Sequence, residues 1–188
     1  MTGIRVRIIA LLTVLTFILV PFDAFAADDL QNQCAKSLVK LNIMQGYEDG
    51  SLRLDNKIKR SEFVTLIVKM LQYDKDTDVS NVKVDFKDIK KSHWAYNYVR
   101  LSVKYNLIIG TPDKKFSPDS YITYAEALTV LVRSLGYESK LQGKWPESVL
   151  NMSAEIALTS NLDLPQNKQI TRGDMSVMVC NSLTVNFN

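Results

Sequence analysis

A six-residue phrase recurs three times along the chain, and its third position carries residue types that could bind an anion. The copies read IKRSEF at 58–63, ITYAEA at 122–127 and ITRGDM at 170–175. A guanidinium can bind a carboxylate through two parallel hydrogen bonds, and it stays charged at any relevant pH. The pattern therefore marks the arginines of the first and third copies as candidate binding residues for an acidic ligand. The alternative is that both are solvated surface charges.

The remaining letters of the phrase predict the start of a helix. In a capping box, a Thr and an acid three residues later each satisfy a backbone amide of the first turn. The first copy has Lys59 at the cap, and a Lys side chain cannot accept a hydrogen bond. A cation at the third letter opposes the helix dipole, so capping leaves the two arginines unexplained. The residues predicted to support the helix starts are Glu62, Thr123, Glu126, Thr171 and Asp174.

The phrase belongs to a longer internal repeat. Residues 43–73 align without a gap on residues 107–137, so that Gly46 falls on Gly110 and Asp49 falls on another aspartate. A third copy is shorter and lacks about seven residues of the loop before the phrase. Single units of this size cannot bury their apolar faces alone, so we expect the three copies to pack on one another.

Each copy is predicted to fold as a helix, a loop and a second helix. Apolar residues at helical spacing follow every copy of the phrase. Trp94 stands where the first helix of the second copy is expected to begin, which predicts a core anchor, whereas Trp145 in a loop is open to a sugar-binding or a surface role. The fold class is therefore mainly α, with units at 27–75, 83–140 and 141–188. The predicted stripes are Phe63, Leu66, Ile67 and Met70, then Ala127, Val130, Leu131 and Leu135, then Met175, Met178, Val179 and Leu183.

Residues 1–26 have the features of a secretory signal peptide. Arg5 and Arg7 precede an apolar run, and residues 24–26 form an A-x-A cleavage site. The alternative is an uncleaved membrane anchor. The sequence contains no second apolar span, so we expect no membrane contact after cleavage. The formal net charge of +3 is too small to indicate a nucleic-acid partner.

The sequence contains no recognisable catalytic constellation. His93 is the only histidine, and neither a nucleophile signature nor a second metal ligand accompanies it. The stretch 49–62 lacks the alternating acids of an EF-hand loop. We therefore expect no enzymatic activity, no metal and no cofactor.

The two cysteines, Cys34 and Cys180, lie far apart in the sequence. In an exported protein they could form a disulfide that joins distant parts of the chain. The alternative is a pair of free thiols, buried as small apolar residues. The sequence leaves both interpretations open.

In combination, the motifs resemble the S-layer homology family. Its members show F-x-D, H-W-A, G-x-x-D-G-x-F-x-P and I-T-R-A-E in that order. Here DFKD at 85–88, HWA at 93–95, the loop at 110–118 and ITYAE at 122–126 follow the same order, and the first copy supplies GYEDG at 46–50. The resemblance implies three tandem modules packed as a pseudo-threefold bundle, which bind a secondary cell-wall polysaccharide in the grooves between modules.

The resemblance also implies which residues hold the polysaccharide. The family's Arg in I-T-R-A-E is understood to bind an acidic sugar, often a pyruvylated one. Tyr124 could stack on a sugar or donate through its hydroxyl, but it cannot pair ionically with a carboxylate. Because the shortened third loop lacks its glycine, Arg60 is the stronger candidate. The predicted ligand-binding residues are Arg60, Arg172, Tyr124, Gly46, Asp49 and Gly110.

The family comparison predicts a secreted, non-catalytic protein on the cell wall or S-layer of a Gram-positive-type bacterium. The alternative is an adaptor that binds another secreted or surface protein and has lost its affinity for glycan. Lys59, Tyr124 and the short third loop motivate this alternative, because each departs from the family pattern.

Overall fold

The computed structural model describes residues 27–79 and 81–188, and its regular elements in these ranges are helical. The mainly α class is confirmed. In the described ranges the only β-type pairing consists of three isolated bridges. The predicted signal peptide lies outside the described residues. The helices are α1 (Ala27–Lys40), α2 (Arg60–Met70), α3 (Tyr96–Lys104), α4 (Tyr124–Ser134), α5 (Glu147–Glu155) and α6 (Arg172–Ser182), with single 3₁₀ turns at Tyr73–Lys75 and Glu138–Lys140.

Each copy of the phrase begins a helix, as its letters predict. The acid three residues after the cap accepts a hydrogen bond from the cap amide at the start of α2, α4 and α6, over 2.8, 2.9 and 2.9 Å. In α6 the Thr171 hydroxyl also accepts from the Asp174 amide at 3.1 Å. Lys59 instead directs its ammonium to Asp119 at 2.7 Å. The first copy therefore starts its helix with the acid but without a cap hydroxyl.

The three phrases meet in a closed ring of backbone hydrogen bonds. The Ile58 amide donates to the Ile170 carbonyl at 3.1 Å, Ile170 to Ile122 at 3.1 Å, and Ile122 to Ile58 at 3.2 Å. All three isoleucines are buried. A pseudo-threefold arrangement places the three equivalent residues around one axis, and this ring is consistent with it. That arrangement for the whole bundle stays a prediction, which the ring supports.

Helices pair between successive sequence units rather than within them. The second helix α2 packs on α3, and α4 packs on α5. The first helix α1 packs on the last helix α6, which closes the series. The predicted unit boundaries describe the repeat of the sequence, whereas each packed pair joins the end of one unit to the beginning of the next.

The predicted apolar stripes form part of the core, and two predictions about buried residues are wrong. Met70 is half-buried, and every other stripe residue except Leu183 is buried. Leu183 is exposed because α6 ends at Ser182, so the helical spacing no longer applies there. The prediction that Trp94 anchors the core is wrong, since 58% of this residue is exposed. It precedes the first residue of α3, Tyr96, so the stripe of that helix does not include it.

None of the helices in 27–79 and 81–188 combines the length and the apolar character that crossing a bilayer requires.

Candidate functional site

Arg172, at the start of α6, holds the loop of the first sequence unit. Its Nε donates to the Leu52 carbonyl at 2.9 Å and its Nη2 to the Gln45 carbonyl at 2.8 Å. The backbone amide of Arg172 reaches the same loop, at the Asn56 carbonyl over 2.8 Å. Only 8% of the residue is exposed. The side chain that capping could not explain therefore fastens one unit to another.

Arg60 makes the corresponding contact with the loop of the second unit. Its Nε donates to the Phe116 carbonyl at 2.8 Å, and Phe116 is the counterpart of Leu52 in the repeat. Its Nη1 pairs with Glu126 at 3.0 Å, and 19% of the side chain is exposed. Neither arginine is thus a freely solvated surface charge. Both guanidinium groups are held in fixed orientations between two units.

Tyr124 differs from the two arginines, although its backbone makes the equivalent contact. Its amide donates to the Lys168 carbonyl at 2.8 Å. The residue is 3% exposed, and its hydroxyl has no hydrogen-bond partner within the described part of the chain. Burial, followed by Asp163 and Asp174, raises the pKa of this phenol to about 12. The predicted part of Tyr124 in glycan binding therefore has no support here, because a sugar does not reach the buried ring.

Beside each arginine lies a shallow groove. We call the cavity of about 170 Å³ beside Arg172 the Arg172 groove, and the cavity of about 180 Å³ beside Arg60 the Arg60 groove. The Arg172 groove is lined by Ile43, Met44, Gln45, Ile58, Glu62, Thr65, Leu66, Lys69, Trp94 and Arg172. The Arg60 groove is lined by Val64, Ile108, Ile109, Thr111, Ile122, Glu126, Thr129, Val130, Arg133, Trp145 and Arg60.

The two grooves are copies of each other. The alignment of 43–73 on 107–137 brings the Glu, Thr and cation of one groove onto those of the other: Glu62, Thr65 and Lys69 onto Glu126, Thr129 and Arg133. In each groove the lining contains two cations and one acid. Each groove also contains a tryptophan of the next unit in the sequence and the arginine of the remaining unit. Both are therefore arginine-containing sites shared among three sequence units, and in the Arg60 groove Arg133 is ion-paired with Glu138 at 2.8 Å.

The two tryptophans present large aromatic surfaces to solvent at these sites, and each is 58% exposed. The Trp145 indole donates to the Thr129 hydroxyl at 3.1 Å, which fixes its position in the Arg60 groove. Trp94 stacks on His93 with ring centroids 5.7 Å apart. Trp145 is thus exposed and part of a groove lining, and the sugar-binding role that its sequence left open stays a prediction. The sequence could have indicated the exposure of Trp94, because Trp94 and Trp145 occupy equivalent positions. Each lies two residues before the first residue of its helix, α3 or α5.

The predicted loop residues shape the loops rather than line the grooves. Asp49 accepts from the Ser51 amide at 2.9 Å and pairs with Arg53 at 3.1 Å. The Ser51 hydrogen bonds, followed by Arg53, lower the pKa of Asp49 to about 2. A side chain at Gly110 would place its Cβ 2.3 Å from the Phe86 ring, and one at Gly46 would stand 3.1 Å from the Ser51 carbonyl. Their direct binding roles stay predictions.

Asp88 is a supporting residue that the sequence interpretation did not assign. Its two carboxylate oxygens accept from the amides of Phe116 and Ser117, at 2.9 and 2.8 Å. Asp88 therefore positions the loop whose Phe116 carbonyl receives Arg60. Asp88 is the aspartate of the F-x-D motif, and this position could have indicated its supporting role from the sequence.

The region around Tyr124 does not repeat the composition of the two grooves. There the capping acid of α6, Asp174, pairs with Lys168 at 3.0 Å, and the Gln31 amide approaches it at 3.4 Å. Val177 stands where the grooves have Thr65 and Thr129. The three positions are thus unequal. Among the described residues, His, Cys, Asp and Glu side chains do not gather in threes as a metal site would require.

The fold and the paired grooves define a helical repeat module with duplicated arginine-containing surface sites. The model of the S-layer homology domain matches residues 36–64 and 85–128. The chain belongs to the S-layer homology family. The shortened third copy lies outside the two matched segments, so the count of three modules stays a prediction.

Similar proteins carry this sequence as a small part of a longer chain. The chain is 34% identical to the middle cell wall protein of Brevibacillus brevis over 152 residues, which is 81% of this chain and 14% of that protein. It is 31% identical to the surface layer protein of Brevibacillus choshinensis over 155 residues, 78% of this chain and 14% of that protein. It is 35% identical to a cellulosome-anchoring protein of Acetivibrio thermocellus over 99 residues, 53% of this chain and 22% of that protein.

Proposed function

We propose that this protein attaches to the bacterial cell surface by binding an acidic wall polysaccharide in the Arg60 and Arg172 grooves, without catalysing a reaction. The observation that carries the proposal is the duplication of a groove in which a fixed arginine lies beside an exposed tryptophan. Three relatives are a cell wall protein, a surface layer protein and a cellulosome-anchoring protein, and these names support attachment to the wall of a Gram-positive-type cell.

The arginines would bind the acidic substituent of the polymer. Each guanidinium is already held by a loop carbonyl, so little side-chain entropy is lost when a carboxylate arrives. A hydrogen-bonded pair of a guanidinium and a carboxylate is about twice as strong as a neutral hydrogen bond. Arg60 is half-buried whereas Arg172 is buried, so we expect a polymer to reach Arg60 more easily, and its carboxylate would compete there with Glu126.

The tryptophans would contact the sugar ring itself. A flat indole can cover the apolar face of a sugar, whose ring carries its C–H groups on that side. The neighbouring threonine, Thr65 or Thr129, supplies a hydroxyl for the sugar's polar edge. The lining of the Arg172 groove has one more cation than acids, which favours an anionic polymer over a neutral one. In the Arg60 groove both cations are ion-paired, Arg60 with Glu126 at 3.0 Å and Arg133 with Glu138 at 2.8 Å, so a polymer carboxylate would compete with these acids.

A pull-down with purified wall sacculi tests the proposal through the exposed tryptophans, whose removal should leave the core intact. We expect Trp94→Ala and Trp145→Ala each to weaken binding roughly tenfold, and the double variant to reduce it further. Tyr121→Ala is the matched control, because Tyr121 is an exposed aromatic residue that neither groove includes. Tyr124→Phe is a second control, and it should bind like the unchanged protein.

Two results would reject the groove mechanism. One is equal retention of the double tryptophan variant and the unchanged protein. The other is equal binding to sacculi before and after acid extraction of the wall polymer. Failure to bind sacculi, together with co-purification of another surface protein, would instead support the adaptor function.

A further inference from the structure

The contact between α1 and α6 brings together helices that are far apart in the sequence. The Ser176 hydroxyl donates to the Gln31 carbonyl at 3.1 Å, and the Gln31 amide approaches Asp174 at 3.4 Å. Gly173 makes room for this contact, since a Cβ there would lie 2.0 Å from the Gln31 side-chain oxygen. Residue 31 of α1 thus lies over the first turn and a half of α6.

One helical turn further along each helix is a cysteine. Cys34 follows Gln31 by three residues, and Cys180 follows Ser176 by four, which is the spacing of one turn. The two thiols contact each other across the helix pair, and Cys34 is 8% exposed. Both cysteines are free thiols in this structure. Burial, followed by the hydrogen bond with Cys34, raises the pKa of the Cys180 thiol to about 12.

We propose that Cys34 and Cys180 form a disulfide that joins α1 covalently to α6. The two thiols lie in the interface that closes the series of helix pairs, so the bond would join helices that already pack on each other. The proposal does not depend on wall binding, because neither cysteine lines the Arg60 or the Arg172 groove.

The oxidant is the disulfide of an exported thiol–disulfide oxidoreductase or a small disulfide compound. The thiolate of one cysteine attacks the oxidant's disulfide, forms a mixed disulfide and releases one thiol of the oxidant. The thiolate of the second cysteine then attacks the sulfur of the first, forms the Cys34–Cys180 bond and releases the other thiol. Two electrons pass to the oxidant, and the two cysteine protons end on its sulfur atoms.

The environment of the thiols indicates when this exchange happens. The thiolate is the reactive form, and the high pKa of Cys180 keeps this cysteine protonated in the folded protein. Exchange is therefore expected while α1 is still undocked from α6. After docking, the same burial protects the disulfide from external thiols. Oxidised protein should thus resist a reductant until it is unfolded.

The test refolds the full chain from denaturant, either in a mixture of oxidised and reduced glutathione or in a phosphine reductant. Mass spectrometry after thiol blocking in denaturant measures the free cysteines, and thermal unfolding measures Tm. We expect an oxidised monomer without free thiols, lighter than the reduced form by two hydrogen atoms. Its Tm should be about 10 °C higher, because the bond closes a long loop in the unfolded chain.

The unchanged sequence in its two redox states is the main comparison, so a variant that fails to fold cannot decide the result. Cys34→Ala and Cys180→Ala serve as controls, and their Tm should not depend on the redox mixture. Free thiols in the refolded monomer, a disulfide-linked dimer as the main product, or an oxidised monomer with an unchanged or lower Tm would each overturn the proposal.

Discussion

At the scale of single residues, the arginine of the repeated phrase has a structural task as well as a chemical one. Arg60 and Arg172 each donate from Nε to a carbonyl of another unit's loop, and those carbonyls belong to counterpart residues of the repeat. A residue that is unfavourable for its own helix thus stabilises the contact between units. Tyr124 cannot make this side-chain contact, and the third loop is shorter.

Replacing Arg172 should therefore reduce stability as well as wall binding. Arg172→Ala removes two charge-assisted hydrogen bonds and the packing of a buried side chain, so we expect the free energy of unfolding to fall by about 2–4 kcal/mol. Urea denaturation measures the change. Arg53→Ala is the control, since its pair with Asp49 is exposed and should contribute little to stability. Similar losses in the two variants would contradict the structural task of Arg172.

At the scale of elements, the sequence predicts the second helices well because their signals are local. Each capping acid lies three residues from its cap, and each stripe repeats at helical spacing. The grooves are less predictable, since each combines an arginine, a loop, a helix face and a tryptophan from three units. The prediction that Trp94 anchors the core failed because that residue precedes its helix. The burial of Tyr124 likewise depends on contacts that no local spacing contains.

The turn after α2 is tied to α3 through Asp76, and this link predicts a pH dependence. Asp76 accepts from Lys104 at 2.6 Å and from the Tyr105 hydroxyl at 2.5 Å. The Lys104 hydrogen bond, followed by that of Tyr105, lowers the pKa of Asp76 to about 2 from its ordinary 3.8. A carboxylate whose pKa is lowered by folding stabilises the protein above its ordinary pKa, and that stabilisation is lost as the pH falls through the folded value.

Asp76→Asn should consequently be less stable than the unchanged protein at neutral pH. The difference in Tm should narrow between about pH 4 and pH 2, where Asp76 takes up its proton. Thermal unfolding followed by circular dichroism across this range measures it. Both proteins will lose stability in acid because Asp49 also has a lowered pKa, so the narrowing difference is the informative quantity. A constant difference would show that the link does not titrate.

At the scale of the whole molecule, the helix pairs and the isoleucine ring should unfold together. Leu38 of α1 is fully buried, and Leu38→Ala should lower the free energy of unfolding by about 2–5 kcal/mol. The chain has two tryptophans, one in each groove. The Arg60 groove contains no residue of α1 or α6, so the fluorescence of Trp145 reports on a region outside that pair. We expect Leu38→Ala to lower the midpoint of the unfolding transition by the same amount whether it is followed by fluorescence or by circular dichroism. Lys36→Ala, at an exposed position of α1, should leave both midpoints unchanged. A fluorescence midpoint unaffected by Leu38→Ala would mean that the pairs melt separately.

The ring formed by Ile58, Ile122 and Ile170 also limits how such a protein can change in evolution. Each isoleucine amide and carbonyl is already used within the ring, so a fourth phrase would find no backbone partner there. A solenoid can gain contact area by adding repeats, whereas a closed ring has a fixed copy number. Stronger attachment must then come from altering the existing grooves or from linking separate rings. The duplication that produced the repeat thus leaves two arginine-containing grooves in a ring that has no place for another copy.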